Sequence, residues 1–185
     1  MAKLGTAKSL FLGLALAAAG LLASPGAWGT GGMLIRADDQ TPPPTPAGQM
    51  TLEQIGQALD KYGKNTATDN GQTTYSLTVT RGKWDLNVIV SLSPNHTMIW
   101  ITNQLMSIAD PSKASSEALM KLLEKNEDIG PMFFGVVGQR HSLLLSNPVP
   151  NHDLTPAALQ DQVEALISSV LDTEPLWRSE VLVPK

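Results

Sequence analysis

The chain of 185 residues contains no cysteine at all. That excludes disulfides, thiolate metal sites, cysteine nucleophiles and lipid attachment through sulfur. Charge is also scarce, at 16% of residues, and acidic residues outnumber basic ones, 17 to 13. A basic surface is therefore missing, and with it the electrostatic footprint of a nucleic-acid binder. No G-x-S-x-G elbow, phosphate-binding glycine loop or dinucleotide fingerprint occurs. Aromatic residues make up only 5% of the chain, yet most of them fall in or beside its apolar alternating segments. Hydrophobic residues, at 42%, suffice for one ordinary domain.

The N-terminus reads as an address. Lys3 and Lys8 precede an apolar run from Leu10 to Ala23, too short to span a bilayer, and Ala27-Trp28-Gly29 follows as a small-x-small cleavage pattern. Residues 1–29 are expected to be a signal peptide. The protein is then expected to be exported, periplasmic or secreted, with no membrane insertion after cleavage. Residues 30–49 contain Thr41-Pro42-Pro43-Pro44-Thr45-Pro46 and read as a proline-rich linker in extended conformation.

Residues 50–174 read as a compact α+β domain. Thr51 and Gln54 form a capping box, and Leu52, Ile55, Leu59 and Tyr62 share one helical face that Gly63 ends. A polar stretch from Lys64 to Gln72 interrupts the period. Alternation then marks strands at Tyr75–Val79 and Trp84–Leu92, with Ile89 out of pattern. Thr97 to Thr102 is apolar on both sides, the mark of a central strand covered on both faces or buried by a partner. A second helix is expected over Ser115–Lys125, with Leu119, Leu122 and Leu123 as its buried stripe. Met132–Val137 and Arg140–Leu145 form a hairpin across Gly138-Gln139. The last helix has Thr155 as cap, Pro156 at its first position, and Leu159, Val163, Leu166, Ile167 and Val170 on one face. The expected architecture is a five-stranded antiparallel sheet with three helices, in the order α-β-β-β-α-β-β-α. Residues 175–185 form an apolar tail, which either folds back over the sheet or completes a contact between subunits.

Reactive groups are few. Asn151-His152-Asp153 sets a carboxylate beside an imidazole, an arrangement that could shuttle protons, although a polar loop feeding a helix cap accounts for the same residues. His96 and His141 stand alone, and neither a metal site nor a cofactor is expected. Asn95-His96-Thr97 matches a glycosylation sequon, which is read as chance.

Trp84–Leu92, Trp100-Ile101, Leu119–Asn126, Phe133-Phe134 and Asn151–Thr155 together resemble the type III secretion chaperone-like superfamily, YbjN-like proteins in particular. Leu-Leu-x-x-Asn at Leu122–Asn126, followed by Gly130 and an aromatic strand, is the most telling piece. The resemblance covers roughly residues 50–170. It implies a small α+β protein, commonly a homodimer, that binds extended segments of other proteins and is not an enzyme. The expected role is thus an exported, non-catalytic, chaperone-like or adaptor module that recognises a protein client through apolar surface. Trp100, Phe134, Leu176 and Trp177 are the candidate contact residues. The alternative is a small hydrolase or ligand-binding enzyme using the His152/Asp153 loop.

Overall fold

The structure is a computed structural model that describes residues 48–69, 72–138 and 141–183. The expected signal peptide, and all of the expected linker except Gly48 and Gln49, lie outside the described residues.

Thr51 caps helix α1 (Leu52–Ala58) in both directions. Its hydroxyl accepts from the Gln54 amide, and the Gln54 side chain accepts from the Thr51 amide. The helix ends earlier than its apolar spacing implies: Asp60–Tyr62 tighten into a 3₁₀ turn before Gly63, which takes a left-handed φ of 66°. Six strands follow, interrupted by one helix: β1 (Asn65–Asp69), β2 (Gln72–Arg81), β3 (Trp84–Leu92), β4 (Met98–Ser107), then α2 (Ser116–Ile129), β5 (Phe133–Val137) and β6 (Ser142–Pro150). The chain closes with α3 (Pro156–Asp172) and two single turns, α4 (Glu174–Trp177) and α5 (Ser179–Leu182). All pairings are antiparallel, in the order β1-β2-β3-β4-β6-β5. The α+β class holds, with six strands and five helices among the described residues in place of five and three.

Each difference has a local cause. Strand β1 reads Asn-Thr-Ala-Thr-Asp, with Ala67 its single apolar residue and no alternation; backbone pairing to β2 and a Thr68–Thr73 hydroxyl contact of 3.1 Å define it instead. Strand β6 continues past Leu145 through two prolines. Strand β5 stops opposite Ser146, so Pro148 and Pro150 lie where β6 has a neighbour on one side only and their missing amides break no ladder. Helix α2 buries Leu122, half-buries Leu119 and leaves Leu123 exposed, because it packs along the sheet margin at β5 and not over the sheet.

One face of the sheet is the core. Leu77, Val88, Ile101 and Leu145 come from four adjacent strands and meet Leu159, Val163, Leu166 and Val170 of α3, all essentially inaccessible to water. Each such side chain contributes roughly 1.5–3 kcal/mol by leaving water. Asn151, fully buried, ties the start of the domain to this sheet. Its side chain donates to the carbonyls of Met50 (3.0 Å) and His96 (2.8 Å) and accepts from the Met50 amide (2.9 Å). The tail folds back. Trp177 is buried, 5.1 Å from the Trp84 ring, and its indole donates to the Val170 carbonyl at 3.0 Å. Leu182 is buried as well, and its carbonyl accepts from the Ser115 amide that opens α2.

Candidate functional site

Side chains alternate along a strand, so the residues between the core positions form the opposite face of the sheet. On β4 these are Met98, Trp100, Thr102 and Gln104. Register places Trp100 between Ser91 of β3 and Pro148 of β6. One step along, Ile89, Thr102, Ser146 and Phe133 align across four strands. Trp100 is 36% exposed and meets the Phe133 ring edge-on at 6.4 Å, the geometry aromatic quadrupoles favour. Hydroxyls and amides satisfy one another around this pair: Thr102 and Ser146 lie 3.0 Å apart, and Ser76 donates to Asn87 at 2.8 Å. The two rows carry no charged side chain, and among the described residues the helices pack on the other face or along the β5 margin. Together the two rows make an uncharged, partly aromatic surface. It can bury apolar side chains of a polypeptide and offers no reactive group.

The four candidate contact residues do not meet. Trp100 faces outward on this surface. Phe134 is buried in the core on the opposite face, Trp177 is buried against Trp84, and Leu176 is half-buried beside a groove of about 600 Å³ between α2 and α4. Phe133, not Phe134, is the ring beside Trp100. A shift of one residue in a strand exchanges the faces, and in Phe133-Phe134-Gly135-Val136-Val137 both alternating sets are apolar, so the pattern alone does not choose between them. Ile89, the residue out of pattern in β3, also belongs to this surface. Away from Trp100, Met120 and Leu123 of α2 are each 55% exposed and Val136 of β5 is 47% exposed.

His152 Nδ1 and Asp153 Oδ2 lie 2.7 Å apart, but both side chains are about three-quarters exposed. Asp153 has a left-handed φ of 53°, and its amide donates to the Gly48 carbonyl. No cluster of three metal-ligating side chains occurs among the described residues. The loop leads into the α3 cap and anchors the domain start, and its imidazole stands open to water. The other group of polar side chains is structural too. Glu164 of α3 accepts from Tyr62 (2.9 Å) and Arg81 (3.0 Å), which links three separate parts of the chain. Burial alone would raise the Glu164 carboxyl, but the Tyr62 and Arg81 bonds outweigh it and hold the group below the usual glutamate range. The Tyr62 phenol is pushed up, first by burial and then by its bond to Glu164.

No curated protein matches the chain. Among solved structures, a chain of the ExsC–ExsE complex superposes with a TM-score of 0.52 at 12% identity, covering 67% of this chain and 90% of that one, which establishes a shared fold. Two others are similar at lower scores. One comes from the heterodimeric ExoU–SpcU complex of the Pseudomonas aeruginosa type III secretion system (TM-score 0.46, 15% identity, 70% of this chain and 98% of that one). The other is from the HopA1–SchA chaperone–effector complex (TM-score 0.49, 9% identity, 65% and 89%). The match with the family of Tir chaperone proteins spans residues 51–173, from the cap of α1 to the end of α3.

That match corrects the expectation of an exported, periplasmic or secreted protein. Type III secretion chaperones are cytoplasmic and bind effectors before secretion, without being exported themselves. An apolar run behind two lysines records hydropathy only, and hydropathy is not a compartment. These chaperones are also non-catalytic. With about two thirds of its length accounted for by that match, the chain belongs to the Tir chaperone protein (CesT) family.

Proposed function

We propose that the protein is a non-catalytic, chaperone-like module that holds a segment of a client protein on the uncharged rows around Trp100 on the outer face of its sheet, with Trp100 and Phe133 at the centre of the contact. The observation that carries this reading is the exposed Trp100, set edge-on to Phe133 and flanked by Ser91 and Pro148. A large aromatic side chain on a rigid strand loses little entropy on contact and buries much area, which is why such residues dominate protein interfaces. Buried apolar area contributes roughly 25 cal/mol per Å². Of the other candidates, Phe134 and Trp177 act from beneath as packing that keeps the strands and the tail in place, and Leu176 lies outside this contact. A homodimer would seat its second copy on Met120, Leu123 and Val136, and Met120→Asp with Leu123→Asp should return it to a monomer in sedimentation.

The test is affinity capture from the native cells with wild-type protein and Trp100→Asp in parallel, followed by reconstitution of the captured client from purified components. The reading expects a stoichiometric client that binds the wild type and is lost, by at least about 100-fold in affinity, with Trp100→Asp. Equal binding by both proteins would contradict it.

A further inference from the structure

Strands β3 and β4 are neighbours along only part of their length. Their ladder runs from Leu92–Ile99 to Val88–Asn103 and stops. Beyond it β3 reaches back to Trp84 paired with β2 alone, and β4 runs on to Ser107 paired with β6 alone. The parting is built into β4. Leu105 has no partner in β6, an extra residue between the pairs Gln104–Leu144 and Met106–Leu143. Such a bulge bends its strand and re-aims the side chains that follow. Leu105 and Met106, consecutive in sequence, therefore both pack toward the core. The Asn87 carbonyl, one residue past the last pair, is satisfied by the buried Asn103 side chain, which donates to it at 3.1 Å. The gap is thus a fully bonded feature of the sheet and not a frayed end.

Between the parted strands and the tail lies a half-open cavity of about 430 Å³. Leu105 and Met106 form one wall, and the Trp84–Trp177 pair forms another. Charged side chains stand at its mouth, and they are not equally occupied. Glu174 accepts from Lys83 at 3.2 Å. Arg178 makes no side-chain hydrogen bond among the described residues: its Nε is buried and unpartnered, 3.5 Å from Glu174 Oε1, and its Nη1 is 3.8 Å from Glu180 Oε1. A guanidinium is a planar fork of donors whose best partner is a carboxylate taken by two parallel bonds. Apolar walls with one convergent polar group have the form of a small-ligand site.

We propose that this cavity binds a small monocarboxylate with an aromatic body, its ring against Trp84, Met106 and Trp177 and its carboxylate on Arg178. Indole faces and edges and a thioether all favour an aromatic ring over a plain aliphatic chain. Trp177 and Arg178 lie past residue 173, outside the segment that matches the family. The walls belong to the core side of the sheet, whereas Trp100 is on the outer face, so ligand binding here and client binding there are independent and neither result decides the other.

The test titrates the full chain with 4-phenylbutyrate and, in parallel, with the uncharged 4-phenyl-1-butanol, following the indole N–H signals by NMR. The acid should shift the Trp84 and Trp177 signals saturably and leave that of Trp100 in place. The alcohol should bind at least about tenfold more weakly, because it cannot take both arms of the guanidinium. Arg178→Gln should lower the acid to the level of the alcohol and leave the alcohol unchanged. Met106→Trp fills the cavity and should abolish binding of both. Should that variant fail to fold, the ratio of acid to alcohol in Arg178→Gln, a partly exposed position, supplies the reading. Unmoved Trp84 and Trp177 signals, equal binding of acid and alcohol by the wild type, or an unchanged ratio in Arg178→Gln would overturn the proposal.

Discussion

The two faces of one sheet differ more than any two other parts of this molecule. On the inner face, Leu77, Val88, Ile101 and Leu145 are sealed under α3 with almost no accessible surface. On the outer face the same four strands carry serine, threonine and asparagine around a half-open aromatic pair. The two tryptophans at the extremes make the contrast plain. Trp177 is buried with its indole hydrogen-bonded to Val170, whereas Trp100 is a third exposed and rests on Phe133. Burial marks what the fold requires, and an exposed aromatic on a rigid strand marks what the fold presents.

Substitutions should separate the faces in order of size. Leu166→Ala, beneath the sheet and inaccessible, should cost about 3–4 kcal/mol in denaturant unfolding, from lost transfer energy plus an unfilled cavity. Trp177→Ala should cost about 3 kcal/mol, and the loss should extend to α2 because the tail holds the Ser115 amide. Asn151→Ala should cost about 2 kcal/mol by leaving buried backbone groups of Met50 and His96 unpaired. Trp100→Ala should cost under about 0.5 kcal/mol, since the ring is already partly in water.

The smallest effect is pH-dependent. Glu164 is held below the ordinary glutamate range in the folded state, so its ionised form adds stability above the unfolded value of about 4.3. That contribution is lost as pH falls through the folded value. Glu164→Gln should therefore flatten the acid limb of a stability–pH profile while leaving the profile above neutrality parallel to wild type.

How far the sequence could be read follows the same division between faces. Strands β2 and β3 and helix α3 are legible because one side is apolar and the other is not; Thr155 and Pro156 even mark where α3 begins. Strand β1 is illegible because it is polar on both sides, and the far half of β6 because Pro148 and Pro150 look like stops until the absence of a neighbour there is known. The outer-face site is legible only in part. Trp100 stands out, but Phe133 and Phe134 are adjacent aromatics in a strand apolar on both faces, and only pairing with β6 decides which one joins it. The two bonds between the Asn126 side chain and the Phe134 backbone depend on where α2 meets β5, which no local pattern encodes.

The central claim is that a client lies across Trp100 on the outer face. The direct measurement replaces Trp100 with a photo-crosslinking phenylalanine analogue, does the same at Ser168 on the solvent side of α3, and irradiates each protein with the captured client. Crosslinking from position 100 and none from position 168 is the expected result. Crosslinking from 168, or silence at 100 in a complex that still forms, would contradict the account.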